Sequence, residues 1–531
     1  MTRHLFLFVI LAALLVMWYV AAAGGGFPLD DSWIHQTFGR NLALHGEWAF
    51  LPGQPVAAST SPLYTVLLSI GYRLGMPYQI WTHGLGVIAL ASTALIGAAW
   101  AKKVLPDYAF APWIVGFSLL TTWHHVWAAA AGMETLLFGA LVLALVVWPW
   151  WDGPSSLRRR FAWGAAFGVL SALTVLARPE GITIVVWVGL ILLFREIVIT
   201  AFQAHTPGDG RLALPLPLQW LLAVGIAFFI VIAPYLWLNL QLTGGLLPNT
   251  AAAKFQQHAV LQALPFTERM GRLFVAIIAG GQVALVPGIV IYVGWRLRAW
   301  YAKPSQLLII WELACWMLPL VWAVGLIVLY AWRLPADYQH GRYVLPALPA
   351  LVLMGSAGLC VALGFISDAQ KSMGFTGLLR RVVVRAWAMT FVLLYAYYLV
   401  AGREIYRVDV AIIDGEMVTA AHWIRDNLPP DDLLAIHDIG AVGYFASRPM
   451  LDIAGLITPD VVPLIGQPDA LWAFMQDRGA KYLLAFPDQI PGGRVDDPRL
   501  CPVYSTNAAV TQQVGHANMQ VYRLAWDERC E

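Results

Sequence analysis

The chain has 531 residues, of which 59% are hydrophobic and 12% charged, and its 33 Lys and Arg against 31 Asp and Glu leave a net charge of +2. An average soluble domain is roughly a quarter charged, so a water-soluble fold is excluded and most of the chain must face lipid or its own interior. The small net charge also excludes the broad basic surface that nucleic acid requires, so no nucleic-acid partner is expected.

Apolar runs near the roughly 20-residue length that crosses a bilayer recur about eleven times, at residues 4–23, 80–101, 109–128, 133–150, 161–177, 182–199, 217–238, 273–295, 306–331, 343–366 and 383–402. The first reads as an anchored helix, although its exit through Ala21-Ala22-Ala23-Gly24 also has the small residues of a signal-peptide cleavage site. Lys102/Lys103, Arg158/Arg159/Arg160, Arg195 with Arg211, Arg296/Arg298/Lys303, and Lys371 with Arg380/Arg381/Arg385 fall in alternate breaks, which are therefore read as cytoplasmic. This puts the N-terminus inside. Two further segments, Asp31 to Leu44 and Ser61 to Gly75, are too short or too mixed to span and are read as interfacial helices in a long first outer loop.

After Gly402 the texture changes. Residues 1–402 carry 23 basic and 13 acidic residues, whereas 403–531 carry 10 and 18. Helices are expected at Glu416 to Asn427 and Ala470 to Asp477, and short strands at 433–436, 449–453, 482–486 and 520–524. The fold class that follows is a mainly α, polytopic membrane helical bundle over 1–402 with an extracytoplasmic α/β domain over 403–531. Cys315 and Cys360 sit in apolar runs and are read as packing, while Cys501 and Cys530 either pair, if the C-terminal region is extracytoplasmic, or stay free.

The outer breaks hold the residues that could carry chemistry. Asp30 and Asp31 stand together at the membrane end of a helix, where paired carboxylates need a partner or a wet cavity. They serve either as a solvated helix start or as a base and a cation ligand. Glu134 is either a helix cap or, with Asp31, part of a divalent-cation site for Mg, Mn or Ca. His124 and His125 are read as interfacial packing before ligands. Six basic residues retained outside, Arg178, Lys254, Arg269, Arg272, Arg333 and Arg342, call for headgroups, local pairing or an anionic lipid-linked substrate; two or three would touch such a substrate.

These elements stand in a familiar order. Leu29-Asp30-Asp31-Ser32-Trp33-Ile34, Gly39-Arg40-Asn41-Leu42-Ala43, His45-Gly46-Glu47-Trp48 and Ser59-Thr60-Ser61-Pro62-Leu63-Tyr64 resemble the first outer loop of the glycosyltransferase C superfamily. Gly132-Met133-Glu134-Thr135, Ala177-Arg178-Pro179-Glu180-Gly181, Pro248-Asn249-Thr250 to Lys254, and Gly341-Arg342-Tyr343 continue the likeness, which covers roughly 1–400 and is closest in texture to bacterial terminal arabinofuranosyltransferases. Gln54 to Ser59 departs from the more polar or aromatic stretch of arabinosyl relatives.

The resemblance implies transfer of a sugar from a polyprenyl phosphate to a glycan, lipid or protein acceptor on the outer face of the cell membrane, with inversion. It makes Asp30 the general base and Asp31 a second acid. Glu134 would lie near metal or acceptor. Arg178, Lys254 and Arg342 would hold the donor phosphate, and Tyr64, Tyr343 and His340 would line the pocket. The C-terminal domain would cover the acceptor groove. The competing class is a transporter or flippase of lipid-linked sugars, which would carry charges or broken helices at the bilayer midplane and often an inverted repeat.

Overall fold

The computed structural model describes residues 2–151, 157–203, 216–246, 250–301, 307–369, 375–526 and 530. Arg211, Lys303 and Lys371, and Pro248 and Asn249 of the motif preceding Lys254, lie outside them. Among the described residues eight helices are long and apolar enough to cross a bilayer. Three shorter apolar helices, Phe6–Ala22, Ala111–Thr121 and Thr135–Trp150, fall on the other expected spans. The molecule is a polytopic helical membrane protein with a small C-terminal α/β unit.

Two spans differ in detail from the expectation. The 109–128 run breaks at Thr122 into Ala111–Thr121 and Trp123–Ala130. The 273–295 run is divided at Ala279 and Gly280, so that Phe266–Ile278 is a separate amphipathic helix burying only Leu273 and Ile277, and the crossing element is Gly281–Tyr301. Tyr338–Gly364 is the central span, almost wholly buried. It crosses its neighbour backbone to backbone: a Cβ on Gly358 would sit 1.7 Å from the Gly288 carbonyl oxygen, so only glycine permits this approach.

Both short outer-loop helices form, as Asp30–Leu44 and Pro62–Arg73. The first is buried on more than its apolar side: Ser32, His35, Gln36, Thr37 and Asn41 are buried with Trp33 and Phe38. Asn41 donates to the Ala49 and Phe50 carbonyls, anchoring a hairpin of β1 (Ala49–Leu51) and β2 (Gln54–Pro55). The bundle covers its polar side, where Ser32 donates to the Ala131 carbonyl, Gln36 to Thr82, and His35 pairs with Glu134; the soluble domain meets the helix at Trp33 and Arg40.

The C-terminal domain is a five-stranded mixed sheet. Strands β3 (Leu434–Ile436), β4 (Met450–Asp452) and β5 (Tyr482–Ala485) are parallel, and β6 (Leu500–Ser505) and β7 (Gln520–Leu524) add antiparallel strands, in the order β4-β3-β5-β7-β6. Strand β6 escaped the sequence reading because it contains Pro502. It is tolerated there because β6 is an edge strand whose register shifts between Pro502 and Tyr504. Cys501 of β6 and Cys530 form a disulfide, and Cys315 and Cys360 are buried and free.

No break separates the domain from the membrane at residue 402. The last span runs on as one helix, Phe375–Ile413, into a π-helical turn, Asp414–Val418, and then Thr419–Asn427. Buried Glu416 fastens that turn by accepting from Asn518 Nδ2 at 2.6 Å and the Met519 N–H at 2.8 Å, and from the Thr506 hydroxyl.

Candidate active site

The candidate residues Asp30, Asp31, Lys254 and Arg342 gather at the end of the bundle that carries the soluble domain. Gly24 and Gly25 adopt left-handed φ of 73° and 93°, turning the chain out of the first helix and into Asp30–Leu44. Two carboxylates in the first turn of that helix suit its positive end.

They face different ways. Asp30 accepts from the backbone N–H groups of Gly440 at 2.7 Å and Ala441 at 2.8 Å, in the soluble domain. Loss of solvation, reinforced by Asp438 nearby, pushes its carboxyl up to about 7 despite those two donors. Asp31 lies 2.6 Å from Arg342 Nη2 and 3.8 Å from Lys254 Nζ. Burial works against its charge, but these cations prevail and hold it below the usual carboxylate range. Neighbouring acids are thus driven apart: one suited to exchanging a proton near neutrality, the other a fixed anion.

Arg342 reaches this position through an unusual turn. Gln339, His340 and Gly341 are all left-handed, at φ 53°, 58° and 69°, a conformation that costs non-glycine residues energy and must be held from outside. His340 does the holding: Nε2 lies 2.8 Å from Asp409 Oδ2, and its ring stands edge-on to Trp123 and Trp127. It therefore braces the turn from behind and does not line the cavity.

Beyond the turn, Arg342 is 5% exposed and its Nη2 donates to the Tyr343 hydroxyl at 3.0 Å. Its Nε and Nη1 are buried without a protein partner, although buried polar groups are normally satisfied. Lys254, on helix Thr250–Gln257, donates to the same hydroxyl at 3.3 Å.

These groups line a cavity of about 690 Å³ between the bundle and the soluble domain. Asp30, Asp31, Lys254, Arg342, Tyr343 and Tyr338 contribute from the membrane side, and His437, Asp438, Asp488 and Gln489 from the soluble side. Asp438 is paired with His437 at 2.9 Å and accepts from Gln489 at 2.7 Å.

Glu134 and Arg178 form a second, enclosed cluster that does not line this cavity. Glu134 is 1% exposed and pairs with His35 at 3.2 Å and Arg178 at 3.4 Å. Arg178 also reaches Glu180, two residues away, at 3.1 Å, one of the local pairings open to the outer basic residues. Its guanidinium lies 5.5 Å from the Tyr343 ring centre, so one aromatic ring separates the two clusters. Tyr64 packs edge-on against His35. Of the proposed phosphate-binding trio, the structure brings Lys254 and Arg342 together and sets Arg178 behind Tyr343.

Sequence reading missed His35, and with it the link from Glu134 to the outer-loop helix; a lone His on a helix gave no signal. His124 and His125 are buried in packing, His125 Nδ1 being 2.7 Å from the Leu119 carbonyl. Arg269 donates to the Ala331 carbonyl, Arg272 pairs with Glu268, and Arg333 lies over Phe255 and Trp332.

A divalent-cation site built on Glu134 and Asp31 does not fit this geometry. The two acids belong to different clusters, each already neutralised by basic side chains. Among the described residues no group of three or more His, Cys, Asp and Glu is placed to hold a metal ion.

The bundle, its structured first outer loop and the terminal soluble domain share their overall fold with several solved structures. ArnT from Cupriavidus metallidurans superimposes with a TM-score of 0.59 over 98% of both chains at 14% identity, and the same enzyme bound to undecaprenyl phosphate gives 0.56 over the same shares at the same identity. The oligosaccharyltransferase of Archaeoglobus fulgidus gives 0.54, covering 91% of this chain and 70% of its own at 13% identity. The arabinofuranosyltransferase AftD from Mycobacteria gives 0.50, covering all of this chain but 40% of its own at 13% identity. A family model described as a domain of unknown function, DUF8728, matches residues 403–524. No curated protein sequence matches the chain.

Proposed function

We propose that this protein is a membrane glycosyltransferase that takes a sugar from a polyprenyl-phosphate donor. The observation that carries this reading is the cluster of Arg342 and Lys254 around Asp31, opening into a cavity beside Asp30. The donor phosphate binds against Lys254 and the unpaired Nε and Nη1 of Arg342, while Asp31 keeps the guanidinium aimed. Asp30 accepts the proton of an acceptor hydroxyl, whose oxygen attacks the anomeric carbon opposite the phosphate. The bond from that carbon to the phosphate oxygen breaks, its electron pair leaves on the polyprenyl phosphate, and configuration inverts. A phosphate leaves without protonation near neutral pH, so a single base together with the two cations suffices.

The pattern of basic breaks supports a cytoplasmic N-terminus and an extracytoplasmic soluble domain in the cell (inner) membrane, and the Cys501–Cys530 disulfide supports an oxidising compartment for that domain. Arabinofuranose is the candidate sugar, resting on the outer-loop resemblance, and the acceptor is a cell-envelope glycan, lipid or protein. A flippase is disfavoured because the charged cluster lies at one end of the bundle, against the soluble domain.

The test is release of polyprenyl phosphate by purified protein from a panel of synthetic polyprenyl-phosphoryl pentofuranoses and hexoses, with cell-envelope extracts as acceptor. Transfer from at least one donor is expected. Movement of intact lipid-linked sugar across proteoliposomes, with no transfer from any donor, would overturn the reading.

A further inference from the structure

A close contact between the two parts of the molecule is made on the side chain that the proposed reaction uses as its base. Asp30 Oδ2 and Oδ1 accept from two successive backbone N–H groups of the soluble domain, Gly440 and Ala441. Close approach is built into the sequence there: a Cβ on Gly440 would meet the Asp30 backbone oxygen at 2.1 Å and its carboxylate at 2.7 Å. Three residues on, a Cβ on Gly443 would meet the Phe50 ring at 2.2 Å, so the segment lies flat against the outer loop at both points. Arg40 fastens its far end by donating to the Tyr444 carbonyl at 2.7 Å.

Neither N–H is needed by its own helix. The first helical bond of Gly440–Phe445 runs from the Gly443 N–H to the Ile439 carbonyl, leaving those of Gly440 and Ala441 free to hold a carboxylate.

We propose that the soluble domain is a working part of the transfer site, with the Gly440 and Ala441 backbone N–H groups acting as positioning residues that orient the Asp30 carboxylate toward the cavity. The inference rests on Asp30 being the base. It follows that a bundle without this domain docked lacks a correctly placed proton acceptor, even with Lys254 and Arg342 intact.

The groups facing Asp30 set the sign of the test. From the soluble domain come Asp438, paired with His437, and the two N–H donors; from its own helix comes Asp31, tied to Arg342 and Lys254. Burial, Asp438 and Asp31 disfavour its charge and the N–H donors favour it, so withdrawing a donor drives the carboxyl pKa upward.

Two variants act on the contact. Gly440→Ala displaces the carboxylate, and Ala441→Pro removes one donor at a first-turn position where proline breaks no helical bond. Gly443→Ala strains the same interface against Phe50 without touching Asp30. In full-length protein, Gly440→Ala and Ala441→Pro are expected to lower kcat by about tenfold or more with donor KM within about threefold, as for a misplaced reacting group. The acid limb of kcat/KM should move up by at least about half a pH unit, and stay in place in Gly443→Ala.

An unmoved or lowered limb in both test variants, or an equal shift in Gly443→Ala, would overturn the proposal. Asp30→Asn separates this failure from that of the underlying reading. If it is inactive while Gly440→Ala and Ala441→Pro behave as wild type, only the positioning role falls; if it retains full turnover, the base assignment falls first.

Discussion

Replacing Arg342 by alanine removes the one guanidinium among the described residues that both lines the cavity and holds two buried, unpartnered nitrogens. Hydrogen bonds to charged groups contribute about 1.5–3 kcal/mol each, and two to a phosphate overlap in part, so a loss of about 3–4 kcal/mol is expected. At about 1.4 kcal/mol per decade this is a few hundredfold in kcat/KM for the donor. The neighbourhood adds to the effect, because Asp31 then keeps only Lys254, at 3.8 Å, and draws that ammonium away from the phosphate. Arg342→Lys keeps the charge without the fork and should lose about tenfold. The assay is the initial rate of polyprenyl-phosphate release at donor concentrations well below KM. Activity of Arg342→Ala within about threefold of wild type would refute the assignment of the phosphate to this cluster.

The kcat/KM profile should rise with pH through about 7 as Asp30 ionises, because burial has lifted that carboxyl into this range; Asp30→Asn should abolish both activity and limb, and a flat profile between pH 5 and 8 would exclude Asp30 as the base. Glu134→Gln leaves His35 unpaired while Arg178 keeps Glu180, so thermal unfolding in detergent should show about 2 kcal/mol of destabilisation; an unchanged Tm would mean the buried cluster is energetically neutral. Cys501→Ser opens a cross-link spanning 29 residues, with an expected cost of about 3 kcal/mol to the soluble domain, read by limited proteolysis; protection equal to wild type would contradict it. Because Asp31 is already paired with Arg342 and Lys254, and Glu134 with Arg178, EDTA should leave the initial rate within about twofold, and a large loss restored by Mg, Mn or Ca would reinstate a metal.

The spans were legible because a bilayer demands long apolar runs and charged residues are expelled to the breaks. The site was legible in its membership more than in its geometry. Asp30, Asp31, Lys254 and Arg342 stand out because charge at an outer break is costly to keep. How they pair is decided by contacts hundreds of residues apart, such as Asp30 with Gly440 or Asp31 with Arg342, which no local pattern encodes.

Residue type alone pointed the wrong way at His340. A histidine beside Arg342 reads as a pocket residue, yet left-handed backbone at Gln339 and His340 turns it to Asp409, and neither residue type advertises that conformation. Arg178 beside Glu180 was a readable local pair, whereas its second partner Glu134 lies on another span.

The unbroken helix that leaves the membrane has a mechanical meaning. At about 1.5 Å per residue, the 39 residues of Phe375–Ile413 extend about 58 Å, nearly twice the roughly 30 Å hydrocarbon thickness. Its upper end is fastened by Glu416 to the soluble domain. A helix in lipid adjusts its tilt to bilayer thickness, and because the helical elements follow one another from Phe375 to Asn427, no flexible linker stands between this lipid-facing span and the soluble domain.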